Sequence, residues 1–169
     1  PGNFMLVAAM IPCPCGNKGS TTKECLCGHN TIMIYQRKIS GPIMDRIDIW
    51  VEVPQVDYKK LNDNSTRGES SEVVRRRVIA AKDIQKKRFK NAAGLNTNSD
   101  IAAKDLKKYA PLSDKVSNLL ISSAERLDLS ARAYHRIIKI ARTIADLEGV
   151  ENISEGHILE ALQYRPKTG

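Results

Sequence analysis

No apolar run in this chain is long enough to cross a bilayer. The longest uncharged and mostly apolar stretch, Phe4 to Pro14, falls well short of the roughly 20 residues a spanning helix needs. Nothing reads as a signal peptide, so neither membrane insertion nor secretion is expected, and a cytoplasmic protein is. The chain has no G-x-x-x-x-G-K-[ST] and no G-x-G-x-x-G, so none of its loops is built to cradle phosphate by the usual route. Histidines are scarce: His29, His135 and His157 fall in three different predicted elements, and none forms a nucleophile–base pair in sequence. His135 lies in a densely apolar helical stretch and reads as structural. An initiator Met is also lacking. Pro1-Gly2-Asn3 runs directly into an apolar segment, and the expectation is a piece of a longer protein.

What is present is a chain of 169 residues with a formal charge of +8. That length holds one domain or two small ones and buries about 70% of its unfolded surface, so a core needs no disulfide or metal. The charge is uneven. Residues 1–53 carry 5 basic and 4 acidic side chains, residues 54–110 carry 14 and 7, and residues 111–169 carry 8 of each. A basic middle third suggests contact with the phosphates of a nucleic acid or nucleotide, although a solvated helix face gives the same count.

The first third reads as strands and loops. Phe4–Ala9 is continuously apolar, as in a strand buried on both faces, and stops at Pro12 and Pro14. A short helical stretch spans Thr31–Lys38, and Asp48–Val53 alternates polar and apolar before Pro54, predicting a second strand. Residues 62–68 read as a linker. From there the period becomes helical. Ser70 or Ser71 caps a helix to about Lys90, a short helix over 100–109 ends before Pro111, and Ser113 starts another to about Leu127. Ser130 caps the strongest helix, with Tyr134, Ile137, Ile138, Ala141, Ile144 and Ala145 in one stripe and Gly149 at its end. Ser154 caps a last one, Glu155–Tyr164. The expected fold is mixed α/β and mainly helical: a strand-containing part over 1–55, a linker over 56–68 and a helical bundle over 69–169.

Three sets of residues can carry chemistry. Cys13, Cys15, Cys25 and Cys27 form C-P-C-G and C-L-C-G pairs nine residues apart. Two close pairs can give four thiolates to one structural zinc, leaving no open position for catalysis. One intervening residue per pair is tighter than usual for such sites, so free thiols remain an alternative, with disulfides the third and disfavoured without secretion. Arg46, just before the second predicted strand, can present its five-donor fork outward or pair with Asp45 or Asp48. Arg132 falls in the first turn of the strongest helix, where the helix dipole disfavours a cation and a bound phosphate would offset that. On the basic helix, Arg75, Lys82 and Lys86 suit a phosphate backbone, although Phe89 is the one aromatic there for base stacking.

Taken together, F-M-L-V-A-A-M-x-P-C-P-C-G (residues 4–16), the second cysteine pair, S-G-P-I-M-D-R-I-D-I (40–49), G-E-S-S (68–71), L-S-A-R-A-Y-H-R-I-I-K-I-A-R-T-I-A-D-L-E-G (129–149) and A-L-Q-Y-R (161–165) cover nearly the whole chain. In this order they resemble the carboxyl-terminal part of the bacterial magnesium-chelatase-like AAA+ proteins of the competence-associated ComM/YifB type. The resemblance implies the last strands of an AAA+ core followed by a helical lid, with ATP and Mg held mainly by sequence upstream. It implies that Arg46 is an arginine finger acting on a neighbouring subunit of a ring, expected to be a hexamer, and that Arg132 is sensor 2. It also implies a motor working on DNA, with Arg75, Lys82 and Lys86 as backbone contacts, and it does not imply magnesium insertion into a porphyrin. One position departs from the pattern: Ile11 stands where the family has a polar sensor 1 residue, and its side chain cannot hydrogen-bond a γ-phosphate or orient water. The reading outside this family is a non-enzymatic, zinc-stabilised nucleic-acid-binding or adaptor module.

Overall fold

The computed structural model describes residues 4–54 and 68–166. Within these it divides into two compact units, one holding residues 4–44 with 52–54, the other residues 45–51 with 68–166. The linker expected over 56–68 lies, but for its last residue, outside the described residues.

The first unit holds helix α1 (His29–Gln36) and the single turn α2 (Gly41–Met44). Neither contributes a buried residue, and Cys13 is the one buried apolar residue of this unit among those described. The second unit contains α3 (Ser71–Arg88), two 3-10 turns at Asn98–Asp100 and Ala103–Asp105, α4 (Leu106–Tyr109), α5 (Asp114–Arg126), α6 (Ala131–Glu148) and α7 (Glu155–Gln163). Each long helix of this unit begins on a serine. Ser70, Ser113, Ser130 and Ser154 accept from the backbone N–H of Val73, Val116, Ala133 and His157, satisfying one of the donors a helix start leaves unpaired. Helix α6 ends at Gly149, whose φ of +74° is the left-handed conformation that closes a helix, with Val150 N–H donating back to the Ala145 carbonyl at 3.0 Å.

The apolar stripe of α6 forms the centre of the core. Ile137, Ala141 and Ala145 are fully buried and pack with Leu120 of α5, Ile158 and Ala161 of α7, and Ile101, Leu106 and Phe89. Beside this lies a buried polar knot. Arg88 at the end of α3 donates Nη1 to Asp146 Oδ2 at 2.7 Å and Nη2 to Oδ1, and Asn98 Nδ2 donates to the same Oδ2 at 2.8 Å. Arg142 Nε reaches Asp146 Oδ1 at 3.1 Å, and its Nη2 caps the Val150 carbonyl at 2.8 Å. Burial alone would raise the pKa of Asp146, but the hydrogen bonds from Arg88 and Asn98 outweigh it and hold the carboxyl below its ordinary range.

The strand expectations are not met: among the described residues there is no strand. Phe4–Ala9 has no ladder partner and leaves Phe4 and Val7 77% and 85% exposed. In Asp48–Val53, the Trp50 N–H donates instead to the Tyr164 carbonyl at 2.9 Å. The reason is that a strand exists only through its neighbours. An apolar or alternating run can qualify for a sheet, but its hydrogen bonds and buried faces must come from other segments.

Candidate functional site

In the first unit the C-P-C-G and C-L-C-G pairs bring four thiols together. Gly16 and Gly19 both take positive φ, +77° and +81°, in tight turns where Gly16 N–H donates to the Cys13 carbonyl at 2.9 Å. The Lys18 N–H then points at Cys13 Sγ at 3.3 Å. All four Sγ atoms lie within 4.8 Å of one another, with Cys13–Cys15 at 3.4 Å, Cys15–Cys25 at 3.6 Å and Cys13–Cys25 at 3.7 Å. A tetrahedron with zinc–sulfur bonds of ~2.3 Å has edges of ~3.8 Å, so four sulfurs this close could hold a zinc ion. None of the four is in a disulfide. The Cys15 thiol is held down to about 6, by the Asn17 backbone hydrogen bond first and by the thiols of Cys27 and Cys13 after it. Cys25 receives a lowering hydrogen bond from the Cys27 backbone, but desolvation and bonding to the Cys15 and Cys13 sulfurs outweigh it and push it up to about 11. One sulfur thus ionises readily and its neighbours donate to it, a donor set suited to a thiophilic metal.

In the second unit the segment Asp45–Val51 lies against the start of α6 and the end of α7. Ser130, while capping α6, donates its hydroxyl to Asp45 Oδ2 at 3.1 Å, and Arg165 Nη2 donates to Asp45 Oδ1 at 3.0 Å. One turn into α6, Arg136 Nη1 donates to the Arg46 carbonyl and pairs with Asp48 Oδ1 at 2.6 Å. The acids flanking Arg46 are thus engaged by Arg165 and Arg136, and Arg46 itself is an exposed residue. Arg132 is exposed in the first turn of α6 and enters no ion pair among the described residues. Helices α3, α5 and α7 each carry a carboxylate in their first turn, whereas α6 carries none. The structure therefore brings Arg46 and Arg132 to the same end of one helix.

A family described as magnesium chelatase, subunit ChlI C-terminal, matches residues 68–165, and one described as magnesium chelatase, subunit ChlI, matches residues 1–61. The chain belongs to the magnesium chelatase ChlI family. Over 165 residues, 98% of this chain, it is 40% identical to the Haemophilus influenzae protein named Competence protein ComM, 36% identical to YifB of Salmonella typhimurium and 34% identical to YifB of Escherichia coli. It spans 31% of the length of each. The mainly helical second unit is consistent with a ChlI-type lid bundle. No helix among the described residues is long and apolar enough to cross a membrane.

The remaining residues singled out in the sequence belong to neither cluster. Arg75, Lys82 and Lys86 are exposed along α3; Arg75 and Lys82 flank a shallow cleft with Val74, Val78 and Ile79, and Lys86 pairs with Asp83 at 3.3 Å. Phe89 is buried against Tyr109 with ring centres 5.3 Å apart, so it is withdrawn from base stacking. Ile11 is 52% exposed. Sequence reasoning missed Arg136, Arg165 and Ser130 as partners of the Arg46 segment. The available signal was Arg165 standing alone after the last helix, a cation with no acid in local reach.

Proposed function

We propose that the chain is the lid and arginine-bearing portion of an AAA+ ATPase that works as a ring in the cytoplasm. ATP and its Mg would be held mainly by a phosphate loop outside these residues. The observation that carries this reading is Arg132: an exposed guanidinium in the first turn of a helix that carries no acid of its own there, where a bound phosphate would suit both the cation and the helix dipole. In this reading Arg132 contacts the γ-phosphate from the same subunit as sensor 2, and Arg46 reaches the nucleotide of its neighbour as an arginine finger. A guanidinium held beside a transferring phosphoryl group stabilises its charge, and a finger supplied in trans contributes on the order of 10³–10⁵ in rate. Ile11 offers no hydrogen bond at the sensor 1 position, so the water must be oriented by another polar group. Cys13, Cys15, Cys25 and Cys27 hold a structural zinc that orders their loop. The face bearing Arg75, Lys82 and Lys86 contacts a DNA backbone through charge alone, as the burial of Phe89 supports.

The test is ATP turnover by the full-length protein. Arg132→Ala and Arg46→Ala are each expected to lower kcat at least about 100-fold. Mixing Arg46→Ala subunits with subunits crippled in the phosphate loop should restore part of the activity, because an intact finger then faces an intact pocket. Unchanged turnover in both variants would refute the reading. The zinc-stabilised nucleic-acid-binding module would then remain, supported by the thiol geometry and the charged face of α3, with salt-sensitive DNA binding and one zinc per chain as its signature.

A further inference from the structure

We infer that Arg136 and Arg165 are positioning residues that tie the Arg46 segment to the lid, so that Arg46 and Arg132 travel as one body. The inference rests on the nucleotide reading above for its catalytic half, while its mechanical half stands on geometry alone. Residues 45–51 belong to the compact helical unit although their sequence neighbours on both sides, 44 and 52, belong to the other. Five polar contacts hold them there. Ser130 and Arg165 share the two oxygens of Asp45, Arg136 bridges the Arg46 carbonyl and Asp48, and the Trp50 N–H meets the Tyr164 carbonyl. Three of these start from α6 within six residues of Arg132, so a rotation of α6 must carry the Arg46 backbone with it.

The Arg165 contact is not what a purely stabilising interaction looks like. Its side chain is nine-tenths buried, yet Nε and Nη1 have no partner among the described residues, and the Trp50 indole N–H is likewise buried without one there. Burying unmet donors is unfavourable, and a protein seeking stability alone would place an apolar side chain there. What the arginine supplies is a fixed location for Asp45, and through it for the next residue, Arg46. A positioned guanidinium acts on a phosphoryl group only within a narrow geometry, so displacement of Arg46 lowers turnover without weakening ATP binding.

Trp50 is the single tryptophan of the chain and lies inside the tied segment, so it reports release directly. In the 169-residue chain, Arg136→Ala with Arg165→Ala is expected to shift Trp50 emission to the red and to speed exchange of its amide proton at least about tenfold, while Ala141 and Ala145 amides stay protected. Trp50 emission and exchange matching the wild type would overturn the inference. Should the double variant fail to fold, Asp45→Ala with Asp48→Ala removes the Ser130, Arg165 and Arg136 contacts to those two carboxylates and is read by the same two outcomes. In the full-length protein, Arg136→Ala should lower kcat about tenfold or more with KM for ATP within about twofold. Unchanged kcat in that variant, with Arg46→Ala and Arg132→Ala inactive, overturns the catalytic half and leaves the nucleotide reading intact. If Arg46→Ala and Arg132→Ala are themselves fully active, the nucleotide reading falls and takes the catalytic half with it, while Trp50 exchange still decides whether the segment is tied.

Discussion

The two units of this chain are held together by different physics. The helical unit has a continuous apolar core around Ile137, Ala141, Leu120 and Ile158 and a buried charge knot at Asp146. The first unit has one buried apolar residue among those described, Cys13, and leaves Phe4, Met5, Leu6 and Val7 exposed. The difference teaches that apolar content does not make a core. Residues 4–10 are as hydrophobic as the α6 stripe, but only the stripe finds other faces of this chain to pack against.

The contrast is open to direct attack. The largest effect is expected from metal. If the thiol cluster takes zinc, its binding contributes on the order of 10 kcal/mol to ordering residues 13–27. A chelator, or Cys25→Ser, should then abolish zinc uptake of one ion per chain and the amide protection of that loop, while the cooperative unfolding of the helical unit stays where it was. Elemental analysis and hydrogen exchange read both.

Next comes Asp146→Ala, which strands Arg88 and Arg142 around a missing carboxylate and should cost about 3–5 kcal/mol in urea unfolding. Because the native pKa of Asp146 lies below the ordinary 3.8, protonation of the unfolded chain is favoured first. The stability this carboxylate supplies is therefore complete above about pH 5 and is lost as the pH falls below 3.8 through the native pKa. Asp100, lowered against the raising effect of burial by the N–H groups of Asn96 and Thr97, acts in the same direction. Acid titrations of wild type and Asp146→Ala should accordingly converge at low pH.

Ile137→Ala empties a fully buried site in the centre of α6 and is expected to cost about 2–5 kcal/mol, against within about 0.5 kcal/mol for Val7→Asp in the first unit. An equal loss at both positions would erase the contrast between the units. Within the helical unit the smallest effect is that of Ser113→Ala, which removes the cap of α5 and should lower stability by about 1 kcal/mol.

Much of the helical unit was legible because its signals are local. Ser70, Ser113, Ser130, Ser154 and Gly149 mark boundaries by bonds that reach three or four residues, and the α6 stripe repeats at the helical period. The cysteine set was legible by spacing, although spacing alone did not show that the four sulfurs gather within 4.8 Å of one another. The strands were misread because alternation and apolar content describe a segment's suitability for a sheet, while the ladder belongs to its neighbours. For a related reason the sequence did not show that Arg165 and Arg136 engage Asp45 and Asp48 from 120 and 88 positions away.

By itself, then, the sequence determined where the long helices of the second unit begin and end, which face of α6 is apolar, and which four thiols share one loop. All of these follow from interactions within a few residues or one loop. It did not determine that the helix expected over 100–109 is broken into 3-10 turns and the single turn α4. Only the tertiary structure decided that Asp146 gathers Arg88, Arg142 and Asn98, that Asp45 and Asp48 are claimed by distant arginines, and that the Arg46 segment rides on the helix carrying Arg132. Ion pairs and hydrogen bonds act over a few ångströms, and which groups come that close is settled by how the helices pack, a property that no local pattern of residues contains.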